Sequence, residues 1–333
     1  MTGGAATPRP LRCGVLGCAD IAWRRTLPAM AATPGVEVAA VASRDGAKAA
    51  RFAAAFDCEP IAGYDALLAS PGIDAVYVPL PAMLHAEWVG KALRAGKHVL
   101  AEKPLTGDAE STGRLLRLAD SLGLVLLENV AFPHHGQHAH VRKLLADGVI
   151  GDVRDFTSVF TIPPRPDGDI RYRPDVGGGA LLDMGIYPIH AALYHLGSDV
   201  EVLHAVLRVR ARTGAVVSGR ILACTPAGAT ADLTFGMEHS YRTSCEFAGT
   251  TGRLLLDRAF TPPPGFQPVV RVERQNHREE FTLPADDQFA NAVRYFAEAV
   301  RSGAGAAEYA TAGLRQARLV GDVERTAVRI EVP

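Results

Sequence analysis

Two hydrophobic periods alternate along the first part of the chain. Short apolar runs at Leu11 to Leu16, Val36 to Ala42, Asp74 to Pro79 and Leu124 to Glu128 predict buried strands. Between them lie stretches of helical period: Asp45 to Phe56, Tyr64 to Ser70, Ala82 to Ala95 with Leu84, Trp88 and Leu93 among its apolar positions, and Asp108 to Ser121. A further strand is expected within Gly96 to Pro104, where a helix ends at the glycine and the proline stops the ladder. This rhythm through about residue 130 predicts an α/β domain with a doubly wound parallel sheet. Beyond Glu128-Asn129 the pattern changes. Val153 to Ile162 alternates like a strand, and Val202 to Val209, Ala229 to Phe235 and Arg242 to Phe247 are strand-like runs separated by turn residues. They predict a large, open, mainly antiparallel sheet, one face of which needs covering by a helix or another subunit. Gln288 to Arg301 and Ala306 to Val328 read as closing helices. The expected division is a domain over 1–130 and an α+β domain over 131–333, with the terminal helix free to return to the first.

A length of 333 residues, 48% of them hydrophobic, suits two cores rather than one. The net charge of -1 gives no surface for a polyanion, so nucleic acid is excluded as a partner. Five cysteines, odd in number and without C-x-x-C spacing, argue against a disulfide scaffold and fit a reducing compartment. Met1 to Pro10 lacks the apolar core of a signal peptide, and no apolar run is long enough to span a bilayer. The expectation is a soluble cytoplasmic protein.

Chemistry concentrates at the carboxyl ends of the expected strands, where open α/β sheets bind ligands. Gly17-Cys18-Ala19-Asp20-Ile21-Ala22 is a G-x-A-x-x-A turn. Small residues there let the chain turn tightly and a pyrophosphate approach the backbone, and the helix that follows offers amide donors. At the second strand end, Ser43 offers a hydroxyl and Arg44 a planar fork suited to a 2′-phosphate, which points to NADP(H). Asp45, one residue later, is placed to cap the next helix. Glu102 and Lys103 sit at a third strand end, either delivered into the crevice or simply starting a solvated loop. Leu80, Pro81 and His85 lie at a fourth, where His85 either contacts cofactor or packs on its helix.

Four histidines fall within Ala131 to His140, and His134 and His138 share a helical face. No cysteine or acid completes a ligand set at a metal spacing, so no metal is expected, and the stretch reads as a pocket wall or a solvated helix start. Gly177-Gly178-Gly179 permits close approach of backbone to a ligand. Asp183 and Tyr187, four residues apart, project from one helix face and either converge on a substrate oxygen or bond locally.

Gly17-x-Ala19-x-x-Ala22, Ala95-Gly96-Lys97-His98-Val99-Leu100-x-Glu102-Lys103-Pro104 and Gly177-Gly178-Gly179-Ala180-Leu181-Leu182-Asp183-x-Gly185 together resemble the glucose–fructose oxidoreductase/inositol dehydrogenase (Gfo/Idh/MocA) family, over essentially the whole chain from Leu11. The resemblance implies an N-terminal Rossmann domain carrying a nicotinamide cofactor and a C-terminal open sheet that walls the active site and often joins subunits. It implies a homo-oligomer, dimer or tetramer, built through that sheet. Carried over, Lys103 is the lysine at the reacting oxygen, Tyr187 the proton donor or acceptor, and Asp183 an acid that positions substrate. Cofactor contacts are implied at Gly17, Cys18, Ala19, Asp20, Ile21, Ser43, Arg44, Leu80, Pro81, His85, Glu102 and Lys103. Ala82 stands where many members have asparagine.

Phe132, His134, His135 and Gln137, with Asp169-Ile170-Arg171-Tyr172, look like the branch that reduces C3 ketones of nucleotide-linked deoxysugars, which makes those four and Arg171 substrate contacts beside Asp183 and Tyr187. The implied activity is NADPH-dependent reduction of a dTDP-linked keto-deoxysugar. The rivals are a dehydrogenase of free sugars, inositol or cyclic diols, and an NAD-dependent glycoside hydrolase of the same family. The ammonium of Lys103 is expected to lower the pKa of Tyr187 by favouring phenolate.

Overall fold

Six short strands, buried on both faces at their centre, make the first layer. They are β1 (Leu11–Leu16), β2 (Val36–Ser43), β3 (Glu59–Ala62), β4 (Ala75–Val78), β5 (His98–Ala101) and β6 (Leu126–Glu128). All pair in parallel, in the order β3-β2-β1-β4-β5-β6. Parallel strands need helices on both faces, which is why their residues read as unbroken apolar runs. The helices of this half are α1 (Leu27–Ala32), α2 (Gly46–Phe56), α3 (Tyr64–Leu68), α4 (His85–Arg94) and α5 (Ala109–Ser121). The computed structural model describes residues 9–333. The expectation of no signal-peptide core therefore falls mostly on residues outside those described.

The second layer is a nine-stranded sheet of β7 (Val153–Thr161), β8 (Glu201–Arg210), β9 (Val216–Cys224), β10 (Thr230–Gly236), β11 (Arg242–Gly249), β12 (Arg253–Asp257), β13 (Val269–Arg274), β14 (His277–Thr282) and β15 (Ala327–Val332). Its order is β14-β13-β12-β11-β7-β10-β9-β8-β15, antiparallel except for the β7–β10 and β8–β15 pairs. One face is covered by α6 (Gly136–Ala146), α8 (Ile186–Leu196) and part of α10 (Ala306–Thr326), while α7 (Pro174–Gly177) lies in the preceding loop. Among the described residues, no helix is long and apolar enough to cross a membrane.

The chain does not stay in its second half. α9 (Gln288–Ser302) inserts Val293, Phe296 and Ala297 into the core formed by Leu27, Met30 and Tyr77. α10 crosses α5 and β6 before its end feeds β15 at the far edge of the second sheet. Two strands differ from expectation. β3 carries Pro60 and three exposed residues, the marks of an edge strand, so neither period shows in it. β15 was expected as the continuation of a helix, but Val328-Arg329-Ile330 is β-branched at alternate positions and pairs with β8. The single helix expected over Ala82 to Ala95 begins as a 3₁₀ turn at Ala82–Leu84.

Candidate active site

The end of β5 points into a cleft of about 540 Å³ between the two layers. Glu102 and Lys103 line one wall, and Asp183 and Tyr187 line the other. The second wall is shaped by a π-helical turn at Leu181–Gly185 that runs straight into α8. Such wide turns recur at functional sites because they re-aim side chains that a regular helix would rotate away.

Lys103 Nζ donates to Asp183 Oδ1 at 2.7 Å and to the Asp183 carbonyl oxygen at 2.9 Å. Arg171 Nε donates to the other carboxylate oxygen at 2.5 Å, so two cations share one acid. Burial alone would push the Lys103 pKa down, but the Asp183 carboxylate outweighs it and holds the lysine above its ordinary value. Burial likewise opposes ionisation of Asp183, and Lys103 with Arg171 overcomes it, keeping the carboxyl well below its usual range. The Nζ lies 5.3 Å from the centre of the Tyr187 ring. That ring is wedged edge-on against Phe160 at 4.8 Å, with Phe260 and Phe132 behind it. The expected lowering of the tyrosine pKa does not occur. Burial raises it, and the lysine offsets only part of the rise. In this cleft Tyr187 is a protonated phenol, a donor rather than a phenolate.

Glu102 is fixed from behind. Its Oε1 accepts from Tyr77 Oη and from Asn129 Nδ2, each at 2.7 Å. Neither partner was foreseen, although the parallel register that sets β4 and β6 on either side of β5 brings both alongside. The cis peptide between Lys103 and Pro104 turns the chain out of the strand.

On the first wall, Gly17 adopts φ +118°, and a Cβ there would lie 2.8 Å from Leu80 Cδ2. The turn therefore needs glycine. Ala19, Asp20 and Ile21 open directly onto the cleft at the start of the helical stretch, whose Trp23 amide already bonds the Ala19 carbonyl at 3.1 Å, so only the amides before Trp23 can face another acceptor. These features fit a dinucleotide phosphate. Cys18 is buried behind the turn. Ser43 is buried too, its Oγ accepting from the Asp45 amide at 3.1 Å, whereas Arg44 is exposed at the strand end. Asp45 does cap α2, accepting from the amides of Ala47 and Lys48.

Leu80 and Pro81 line the cleft, but His85 does not. Its two ring nitrogens meet the carbonyl oxygens of Leu80 at 2.7 Å and Pro104 at 2.8 Å, tying two strand ends together. Its expected cofactor contact is thus replaced by a bracing role.

The histidine-rich stretch departs most from expectation. Phe132 is fully buried and reaches the site only by backing Tyr187. His134 bonds the Tyr309 hydroxyl and stacks on its ring, lining a separate cavity of about 640 Å³. His135 caps α6 by accepting from the Gln137 amide at 3.1 Å, and Gln137 donates to the Ala259 carbonyl at 2.9 Å. His135 Nε2 and Gln137 Oε1 are buried without a hydrogen-bond partner, and none of His134, His135 and Gln137 lines the cleft. Among the described residues, no group of three or more His, Cys, Asp or Glu side chains is placed to hold a metal.

Gly177 lines the cleft, and the glycine run also lets the chain pack on itself. A Cβ on Gly177 would sit 2.4 Å from the Ile170 carbonyl oxygen, and one on Gly179 would sit 3.0 Å from that of Val216. They allow the chain to approach itself, which seats the Ile170-Arg171 loop beside Asp183. Arg165 and Ile162 complete the wall, and Arg173 instead pairs with Asp175 at the surface.

Comparison with known proteins agrees with this geometry. Residues 11–149 match the oxidoreductase family with an NAD-binding Rossmann fold, and residues 138–255 match the GFO/IDH/MocA C-terminal domain. A dTDP-3,4-didehydro-2,6-dideoxy-alpha-D-glucose 3-reductase from Actinomadura kijaniata is 57% identical over 97% of both chains. Its counterpart from Streptomyces antibioticus is 56% identical over 94% of this chain and 96% of that one. A crystal structure of a 3-ketoreductase from Actinomadura kijaniata, in complex with NADP and TDP-benzene, superposes with a TM-score of 0.96 at 56% identity, covering 98% of this chain and all of that one. Two matched domains in the same order, and relatives this similar along nearly their whole length, leave one conclusion: the chain belongs to the GFO/IDH/MocA oxidoreductase family.

Proposed function

We propose that this protein is an NADPH-dependent ketoreductase acting on the C3 ketone of a dTDP-linked keto-deoxysugar. The observation that carries the reading is the convergence of Lys103 and Tyr187, from different layers, on a cleft floored by the dinucleotide turn. NADPH, when bound, supplies the hydride to the carbonyl carbon. The turn at Gly17 to Ile21 holds its diphosphate, and Arg44 with Ser43 stands where a 2′-phosphate is recognised.

The protein's own work is on oxygen. Lys103 has three N–H donors and spends two on Asp183, so one is left for the ketone oxygen. A fixed cation there stabilises the developing alkoxide, and it costs no reorganisation because Asp183, itself braced by Arg171, already holds it. Tyr187 then gives its phenolic proton to that alkoxide. Burial keeps the proton on the phenol until a stronger base forms beside it.

Arg165 and Arg171 stand on the opposite rim, already paired with Asp169 and Asp183, so what they lend a diphosphate-bearing substrate is their place at the cleft rather than an unmet charge. The relatives named above act on dTDP-sugars, which supports the same substrate class. We infer a cytoplasmic enzyme, since its five free cysteines suit a reducing compartment. We infer also that it self-associates through the open face of the second sheet, where Leu222, Val328 and Ile330 are all about half exposed. The deciding experiment offers purified protein NADPH with a panel of nucleotide keto-sugars, free sugars and glycosides. Cofactor oxidation only with the nucleotide ketones is expected. Turnover of free sugars alone, or glycoside cleavage without net cofactor change, would overturn the assignment.

A further inference from the structure

Lys103 and Tyr187 arrive from separate elements, the end of β5 and the first turn of α8, and their separation has to be set by something that spans both. Glu128, the last residue of β6, is buried. Its Oε1 accepts from the amide of Leu105, two residues beyond Lys103, at 3.1 Å. The same oxygen accepts from Gln316 Nε2 at 2.9 Å, and Gln316 is a residue of α10 only 2% exposed. Gln316 Oε1 lies 2.8 Å from His190 Nδ1. His190 follows Tyr187 by three positions on α8, so the two occupy neighbouring places on one helix surface. An amide oxygen can only accept, so Nδ1 carries the ring proton. Burial pushes the His190 pKa down to about 4, which keeps the ring neutral and suited to that role. Gly313 lets α10 lie against the acid, since a Cβ there would come within 3.2 Å of Glu128 Oε2.

We propose that Glu128, Gln316 and His190 form a positioning chain that sets the distance between Lys103 and Tyr187. This rests on the reading of those two residues as the reacting pair. None of the three touches the cleft. They act through the strand end and the helix turn that carry the pair. Hydrogen bonds suit this task better than apolar contact because each fixes a direction as well as a distance, and buried ones in series reinforce each other. A reacting group misplaced by about 1 Å loses on the order of 10²-fold in rate. A second feature makes the chain testable from outside. His190 lines the cavity of about 640 Å³ that Tyr194, Tyr295 and Tyr309 also border, so its ring can be replaced by a small molecule entering there.

The test combines turnover with amide exchange. In Gln316→Leu, which removes both bonds at similar volume, kcat should fall by about 10²-fold with KM for NADPH unchanged. Exchange of the Leu105 amide should quicken at the same time. Glu128→Leu should lose as much, and Glu128→Gln, which keeps an acceptor for both donors, should recover most of it. His190→Ala should be slow alone and regain kcat when imidazole is added, while Gln316→Leu should not respond to imidazole. The proposal is overturned by a folded Gln316→Leu with wild-type kcat and unchanged Leu105 exchange. It is overturned equally if Glu128→Gln is as slow as Glu128→Leu, or if imidazole leaves His190→Ala unimproved. If Gln316→Leu does not fold, the imidazole experiment decides alone. Amide exchange needs no substrate, so a wild-type protein inactive on keto-sugars would refute the proposed reaction while still reporting on the chain.

Discussion

Lys103 is held so tightly by Asp183 that its charge is permanent, and Tyr187 is buried so deeply that its proton is retained. In the proposed reaction the two residues divide one task, cation and proton donor, and should not substitute for each other. Removing a positioned proton donor costs about 10²–10⁴ in rate. Tyr187→Phe is therefore expected to lower kcat by that range while NADPH titration stays normal; a near-normal rate where chemistry is limiting would take tyrosine out of the mechanism. Lys103→Ala should be at least as slow, and the double variant should fall well short of the product of the two defects, as groups acting on one atom do. At the cofactor end, Arg44 is exposed and has its fork available. Arg44→Ala should erode preference for NADPH over NADH in kcat/KM, and an unchanged ratio would place the 2′-phosphate elsewhere.

The π-helical turn and the glycine run act together at the scale of elements. Gly177 touches the Ile170 carbonyl, and that loop carries Arg171 to Asp183. Gly177→Ala forces a methyl into backbone that cannot yield as a side chain would, at a cost of about 1–3 kcal/mol. Its kcat should drop out of proportion to any shift in Tm, because the loop displaced is the one that braces the site. A loss of Tm with kcat intact would separate the loop from the chemistry.

Much of this was legible beforehand where a local rule and the tertiary structure agreed. Local geometry put Glu102 and Lys103 at a strand end and Asp183 and Tyr187 on one helix face, and the resemblance to the family chose the cleft over a solvated loop or a local bond. His134, His135 and Gln137 could not, since a run of polar residues says nothing about which carbonyl will take each proton. The partners of His134 and Gln137, Tyr309 and Ala259, lie more than a hundred residues away, and His135 turns back on the Gln137 amide. The pKa of Tyr187 was misjudged for a related reason. Proximity to a cation shows in sequence once the motif is known, but the packing of Phe160 and Phe260 around the ring does not.

At the scale of the molecule, buried titratable groups set a pH window. Burial lowers His138 to about 3 and His190 to about 4. Both are neutral in the fold and, below about 6.5, protonated when unfolded, so each withdraws stability as pH falls from there toward its folded value, at about 1.4 kcal/mol per pH unit. Glu128 works the other way. Burial raises it to about 7, so its contribution is full below the ordinary glutamate range and is lost as pH rises through 7. The two histidines outweigh the one acid between those limits, so Tm should peak near pH 6.5 and fall steeply on the acid side. Thermal melts across pH that rise steadily toward pH 4 would contradict the assignment.

The proposed self-association belongs to this scale too. Leu222 pairs across β9 and β8 with His204, and Val328 and Ile330 pair with Val206 and Arg208, which puts all three apolar side chains on the sheet's uncovered face. Leu222→Asp with Ile330→Asp should convert any assembly to monomer in sedimentation; an unchanged mass would move the interface elsewhere.

The return of the chain through α9 and α10 bears on how such proteins can be recombined. A cut after the first sheet looks natural on a diagram, but it takes Phe296 from the first core, although β15 stays with its partner β8. A chimera that borrows only residues 131–287 to alter sugar selectivity would keep its own α9 in the nucleotide core but set its own β15 against a foreign β8. The smallest exchangeable unit is discontinuous: the middle of the chain together with its last strand, spliced around two helices that stay behind.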